Sequence, residues 1–261
     1  MKQVKQIFEE IESRKKEAEF LKTGFPTVDE LLDGGFLRKE LVVIGAFTGT
    51  GKSYVAGELF LNVAKQGFKS AYFSLEISNE TIVSRLAGSI ANIKPTRLSV
   101  GLLTPEEYEN YLQAKAELTT YKELMYFYDD IYSLAEMETS IKEGQYEFVV
   151  IDFIQNIFHG GQEYERLSEV SLRLQKLAKE TNSCILTLSQ LSNSAAKDGS
   201  MEYKGSGAIA TVCDLGFFMK RADSENGVND ILLSLRKNRR GFSGKDFVLK
   251  FQQPGGKIYE P

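Results

Sequence analysis

The chain has 261 residues, 42% hydrophobic and 26% charged, which is enough for one large α/β domain or two small ones. A formal charge of −4 excludes a globally attractive surface for polyanions, so any nucleic acid must be met by local positive loops. No apolar run approaches the ~20 residues that a membrane span needs.

Val4, Ile7, Phe8 and Ile11 recur at helical spacing, which predicts an amphipathic helix over about residues 2–17. The same stretch is too charged for a secretory signal. A short linker to Gly24 follows. Thr27-Val28-Asp29-Glu30 has capping-box spacing and opens a short helix that Gly34-Gly35 ends. Strands are predicted over 41–44, 71–75, 124–128, 148–151 and 184–189, with helices between them. One helix runs over 54–66. Another starts at Thr104-Pro105-Glu106-Glu107, where a capping box coincides with proline at the first helical position. A third begins near Ser133, with Glu136 three residues on.

Near-continuous apolar strands separated by helices imply a parallel sheet covered on both faces. Cys184 and Cys213 lie in apolar surroundings, without C-x-x-C and with only His159 as a possible partner. They read as buried free thiols of a cytoplasmic protein, not a disulfide or zinc site. Beyond residue 212 close-set strands are predicted over 215–219, 231–235, 247–251 and 257–259, with Asn226-Gly227 and Gly241-Phe242-Ser243-Gly244 as turns. The expected architecture is one parallel α/β core with an antiparallel extension at its C-terminal side.

The most informative segment is Gly45-Ala46-Phe47-Thr48-Gly49-Thr50-Gly51-Lys52-Ser53, which lies between an apolar strand and a helix. Strand, glycine-rich turn, Gly-Lys-Ser and helix make a phosphate-binding loop. Its backbone N–H groups converge on phosphate oxygens, Lys52 reaches the β- and γ-phosphates, and the Ser53 hydroxyl can ligate Mg²⁺. The expected nucleotide-contacting residues are Ala46, Thr48, Gly49, Thr50, Gly51, Lys52 and Ser53. One departure is visible: Ala46 occupies the motif's first position and Gly45 comes one place early.

The strand over 148–151 leads into Asp152, and such an acid holds Mg²⁺ beside the loop hydroxyl, usually through water. Hydrolysis also needs a carboxylate to orient or deprotonate the attacking water. Phe153 follows Asp152, so an adjacent Asp-Glu pair is absent. The alternative is Glu76, at the end of the strand over 71–75, where a neighbouring strand end would face the same crevice. Its plain reading is a solvated glutamate favouring a helix N-terminus. Gln190 ends the strand over 184–189 and can sense a γ-phosphate; it reads equally well as a loop residue.

Together these pieces resemble the RecA-like motor domain of DnaB-type replicative helicases, in order, from about Thr23 onward. Phe73-Ser74-Leu75-Glu76-Ile77-Ser78 is similar to that family's strand with the catalytic glutamate, and Val149-Val150-Ile151-Asp152-Phe153-Ile154-Gln155 to its Walker B strand. Leu188-Ser189-Gln190-Leu191 resembles its phosphate-sensing strand end. Lys204-Gly205-Ser206-Gly207-Ala208-Ile209, then Asp214, resembles the end of its DNA-contacting loop and the strand beyond. Lys237-Asn238-Arg239-Arg240-Gly241 resembles its K-x-R-x-G turn.

The resemblance implies a RecA-like P-loop NTPase core over residues 23–261, preceded by a linker helix over 1–22. It also implies a ring, usually hexameric, with ATP and Mg²⁺ between subunits. Lys237 and Arg239 would then reach the neighbour's γ-phosphate, Arg239 as arginine finger; the plain reading is a solvated basic hairpin. Single-stranded DNA would meet two loops, one over 159–165 with Gly160 and Gly161, the other over 192–206 with Lys197 and Lys204, followed through Gly205 to Gly207. Both also read as ordinary surface loops. The family's N-terminal helical domain has no counterpart, so the first helix, with its Ile7/Phe8/Ile11 face, is expected to dock on the next subunit or else on its own domain. The expected function is an ATP-driven motor that translocates on single-stranded DNA and unwinds duplex in replication, with a primase or loader as partner. A recombinase-like filament ATPase and a nucleotide-switched loader or adaptor with little turnover are the competing readings.

Overall fold

A computed structural model describes residues 3–14, 20–191, 207–222 and 229–261. The elements are α1 (Val4–Arg14), α2 (Pro26–Leu31), β1 (Leu41–Ala46), α3 (Lys52–Lys65), β2 (Ser70–Ser74), α4 (Asn79–Ala91), α5 (Pro95–Ser99), α6 (Pro105–Thr120) and β3 (Met125–Tyr128). They continue with α7 (Leu134–Gly144), β4 (Phe148–Asp152), α8 (Glu163–Thr181), β5 (Cys184–Gln190), α9 (Gly207–Val212), β6 (Leu215–Ala222), β7 (Asn229–Asn238), β8 (Lys245–Gln252) and β9 (Lys257–Tyr259).

The nine strands form one sheet in the order β3-β2-β4-β5-β1-β6-β7-β8-β9. Alternate residues of each core strand enter different apolar layers. Val42, Ile44, Tyr72 and Val150 pack with Leu59 and Phe60 of α3, whereas Leu41, Val43, Phe73 and Val149 pack with Leu167, Val170 and Leu174 of α8. Both faces are covered, which is why the strands carry no polar alternation. Cys184 and Cys213 are buried free thiols belonging to different layers. Among the described residues, no helix is long and apolar enough to cross a membrane.

Two expectations change. The strand after residue 212 does not start the antiparallel extension: β6 pairs parallel with β1 and antiparallel with β7, so it joins the two parts. The helix near residue 27 starts at Pro26 with Phe25 as its cap, and the Thr27 capping box does not form. Proline, with its fixed φ and no N–H to satisfy, suits the first helical position. Thr27 instead bonds the Glu260 carboxylate through both N–H and hydroxyl, while Asp29 accepts from the Thr23 and Gly24 N–H groups at 2.7 and 3.2 Å. At Thr104 both arms of the capping box form. Ser133 caps α7 without a side-chain bond. The Asn226-Gly227 turn lies outside the described residues. The exposed side chains of α1 include Val4, Ile7 and Phe8.

Candidate active site

The phosphate loop runs from the carboxyl end of β1 to the first turn of α3. Two of its glycines take backbone that other residues rarely adopt: Gly49 and Gly51 have φ of +80° and +93°, and Gly51 caps α3 in the left-handed conformation. Ala46 causes no difficulty, because it is the last residue of β1, fully buried, with its side chain in the core. The Lys52 ammonium folds back onto the carbonyls of Ala46 and Phe47, both at 3.1 Å. The Thr50 hydroxyl closes the loop on the Phe47 carbonyl at 2.7 Å.

Thr48, Gly49, Gly51, Lys52, Ser53, Glu76 and Gln190 line one cleft of about 270 Å³, with Tyr54, Ile77, Arg85 and Phe153 completing its wall. Glu76 does not reach it from a strand beside β1, as the sequence suggested; β4 and β5 stand between β1 and β2. A bond from the Leu75 N–H to the Asp152 carbonyl, at 2.8 Å, prolongs the β2–β4 pairing and carries Glu76 to the cleft. Gln190 donates through Nε2 to the Thr48 hydroxyl at 2.8 Å, tying the end of β5 to the loop. Gln155 holds Gln190 in turn: its Oε1 accepts from the Gln190 N–H, and its Nε2 donates to Ser189 and to the Gln190 carbonyl.

Asp152 lies behind the loop, 1% exposed. Burial raises its carboxyl above the usual range, opposed by the nearby hydroxyls of Ser53 and Tyr72 and by Lys52. Its Oδ2 accepts from the Tyr72 hydroxyl at 3.1 Å, while Oδ1 is buried and, by hydrogen-bond geometry among the described residues, has no partner, with the Ser53 hydroxyl nearby. Burial lowers Lys52, and the charges of Asp152 and Glu76 oppose that. An orphaned carboxylate oxygen beside a hydroxyl fits a small hard cation that takes most of its remaining ligands from water and phosphate, as magnesium does.

Lys237 and Arg239 are absent from this cleft, and strand register explains why. Asn238 pairs with Leu215, and Leu215 pairs with Val42, near the amino end of β1; the phosphate loop leaves its carboxyl end. Four residues along a strand at ~3.3 Å each, with two strand spacings of ~4.8 Å across, separate the backbones by roughly 16 Å. Both side chains instead bond carbonyls at the end of α9: Lys237 Nζ those of Ala210 and Thr211, at 2.7 and 2.6 Å, and Arg239 that of Thr211, at 2.8 Å. Gly160 and Gly161 lie exposed between β4 and α8, whose first turn carries Glu163 and Glu165, and Gly207 opens α9. Lys197, Lys204 and Gly205 lie outside the described residues.

Sequence reasoning missed Arg85 and Tyr72. Arg85 stacks 4.8 Å from the centre of the Tyr54 ring at the cleft wall. In sequence it is a mid-helix cation, indistinguishable from a solvated one. Tyr72 reads as a core aromatic, and nothing local marks its hydroxyl.

A family model for the DnaB-like helicase C-terminal domain matches residues 21–258. Similar proteins include the replicative DNA helicase DnaB of Treponema pallidum, 30% identical over 244 residues, covering 88% of this chain and 54% of that protein. The replicative DNA helicase DnaB of Geobacillus stearothermophilus is 30% identical over 254 residues, covering 89% and 55%. The chain thus spans about half the length of the curated relatives it matches. Among solved structures, one ATPase domain aligns with a TM-score of 0.85 at 20% identity, over 98% of this chain and 96% of that one. A DnaB-like replicative helicase, described with its interactions with primase, aligns at 0.84 and 21% identity, over 97% and 65%. These two likenesses establish the RecA-like fold, and with nearly the whole length matched by one family model, the chain belongs to the DnaB-like helicase C-terminal domain family.

Proposed function

We propose that this chain is the ATP-hydrolysing motor of a ring-forming replicative helicase, moving along single-stranded DNA and unwinding duplex. The observation that carries the proposal is the placement of two half-sites at opposite edges of one sheet. A cleft suited to a triphosphate, lined by Lys52, Ser53, Glu76 and Gln190 with Asp152 behind it, sits at the carboxyl edge, and Lys237 and Arg239 sit at the amino edge, out of reach of it. Two such edges complete each other only between copies, and head-to-tail repetition of one interface gives a ring when the rotation closes and a filament when it does not; the ring is the reading adopted because a homohexamer is the family's usual form.

Within each joint site, Lys52 and the loop N–H groups hold the β- and γ-phosphates. Ser53 and Asp152 would hold Mg²⁺, which when bound would neutralise phosphate charge. Glu76 takes the proton of the attacking water, and Arg239 of the adjoining copy, with Lys237, stabilises charge on the transferring phosphoryl. Gln190, bonded to Thr48, couples loss of the γ-phosphate to the segments expected to meet DNA. Those segments grip the sugar-phosphate backbone, the appropriate target for a motor indifferent to sequence. The exposed apolar face of α1 docks on the next copy, where a cleft lined by Val83, Ala87, Leu98, Leu103, Tyr108 and Tyr111 offers an apolar seat. A primase or loader is the expected protein partner.

Mixing two inactive variants tests the shared site. Lys52→Ala spoils the phosphate cleft but keeps the arginine, and Arg239→Ala does the reverse. In a random one-to-one mixture roughly a quarter of interfaces join an intact cleft to an intact arginine, so strand-stimulated ATP hydrolysis should reappear. A mixture as inactive as its components would refute the trans arrangement.

A further inference from the structure

Tyr72 is wholly buried on β2, and its ring fills core space edge-on to Phe60 of α3, with centroids 5.5 Å apart. Phenylalanine would fill that space equally well, as Phe127 and Phe148 do in the same layer. A buried phenol must find a partner for its hydroxyl, and this one finds Asp152.

The geometry follows from the sheet. Tyr72 pairs with Val150 and Ser74 with Asp152, so Tyr72 and Asp152 project to one face, two residues out of step. The long phenol spans that offset and donates to Oδ2 at 3.1 Å. A carboxylate has two equivalent oxygens and a broad terminal torsion. Here one oxygen is pinned by the hydroxyl and the other, Oδ1, is buried and has no hydrogen-bond partner among the described residues.

We propose that Tyr72 is a positioning residue for the metal ion of the nucleotide site: by occupying Oδ2 it fixes the Asp152 carboxylate and presents Oδ1 as the single oxygen available to the ion. The proposal rests on the reading of the Ser53–Asp152 pair as the magnesium site. A supporting bond of this kind orients the carboxylate, whether it meets the ion directly or through water, and removes the alternative conformers that would bind less well. Tyr72 is wholly buried and does not line the cleft, so its removal should alter metal affinity selectively.

Tyr72→Phe keeps the ring and its packing and removes only the hydroxyl. Mn²⁺ binding is measured by electron paramagnetic resonance on the full chain, saturated with a non-hydrolysable ATP analogue. Affinity for the same analogue is measured separately in EDTA. The expected result is a Mn²⁺ dissociation constant raised about tenfold, with metal-free nucleotide affinity and melting temperature unchanged. Unaltered Mn²⁺ affinity in the folded variant overturns the proposal. So does an equal loss of metal-free nucleotide affinity, which would mean that the cleft itself had changed. If the parent protein binds no Mn²⁺ with nucleotide, the metal-site reading fails together with the proposal, which separates the two failures.

Discussion

Adjacent arginines in the turn after β7 should fail in opposite ways when replaced. Arg240 is only 21% exposed and lies with its Nε 2.9 Å from Glu40 Oε1, a side chain 10% exposed. Its other nitrogens donate to the carbonyls of Leu32 and Gly35, at 3.0 and 2.9 Å. Burial raises the Glu40 carboxyl, and Arg240 is the foremost opposing influence. Arg240→Ala therefore leaves a buried carboxylate without its cation, a loss of about 3–5 kcal/mol. At about 2 °C per kcal/mol for a domain of this length, the melting temperature should drop by about 6–10 °C. Arg239, with an exposed side chain bonded at the surface to Asp214 and Thr211, contributes only about 0–1 kcal/mol. Arg239→Ala should melt within ~2 °C of the parent yet lose ATP hydrolysis. Thermal unfolding by circular dichroism reads both, and adding Glu40→Gln to Arg240→Ala should restore part of the loss. Equal melting temperatures for the two single variants, or no recovery in the double variant, would refute the division of labour.

Three further outcomes are expected. Burial raises the Glu58 carboxyl above its ordinary 4.5, so the folded state holds that proton more tightly than the unfolded chain; the resulting stability is complete below the ordinary value and is lost as pH rises through the raised one. Glu58→Gln, which retains an acceptor for the Ser89 hydroxyl, should melt higher than the parent at about pH 8 and not at about pH 4, and parallel melting curves would contradict this. A Cβ at Gly255 would lie 2.2 Å from the Gly88 carbonyl oxygen, where α4 meets the turn before β9; Gly255→Ala should cost about 1–3 kcal/mol in denaturant unfolding. Gln190→Ala removes the bond to Thr48 and should leave nucleotide affinity intact while strand-stimulated hydrolysis falls about tenfold or more, as a coupled ATPase assay would show.

The features legible in the chain were those whose physics is local. Gly49 and Gly51 announce the phosphate loop because backbone at positive φ admits few other residues, and a lysine and serine just beyond them can only begin the helix. Thr104 and Glu107 satisfy each other across three residues, so their capping box was readable. Thr27 carries the same pattern but bonds Glu260, 233 positions away, and no local pattern could have revealed that partner.

By itself the sequence determined the alternation of buried strands and helices, the phosphate-loop turn, and the acids at the end of β4 and just beyond β2, since apolar periodicity, turn conformation and strand-end chemistry are all short-range. Only the tertiary structure decided that β4 and β5 separate Glu76's strand from β1, that β6 belongs to both halves of the sheet, that Tyr72 addresses Asp152, and that Arg240 supports the fold while Arg239 faces outward. Each of these depends on which distant segments become neighbours across strands about 4.8 Å apart, and that is settled by burying two apolar layers at once.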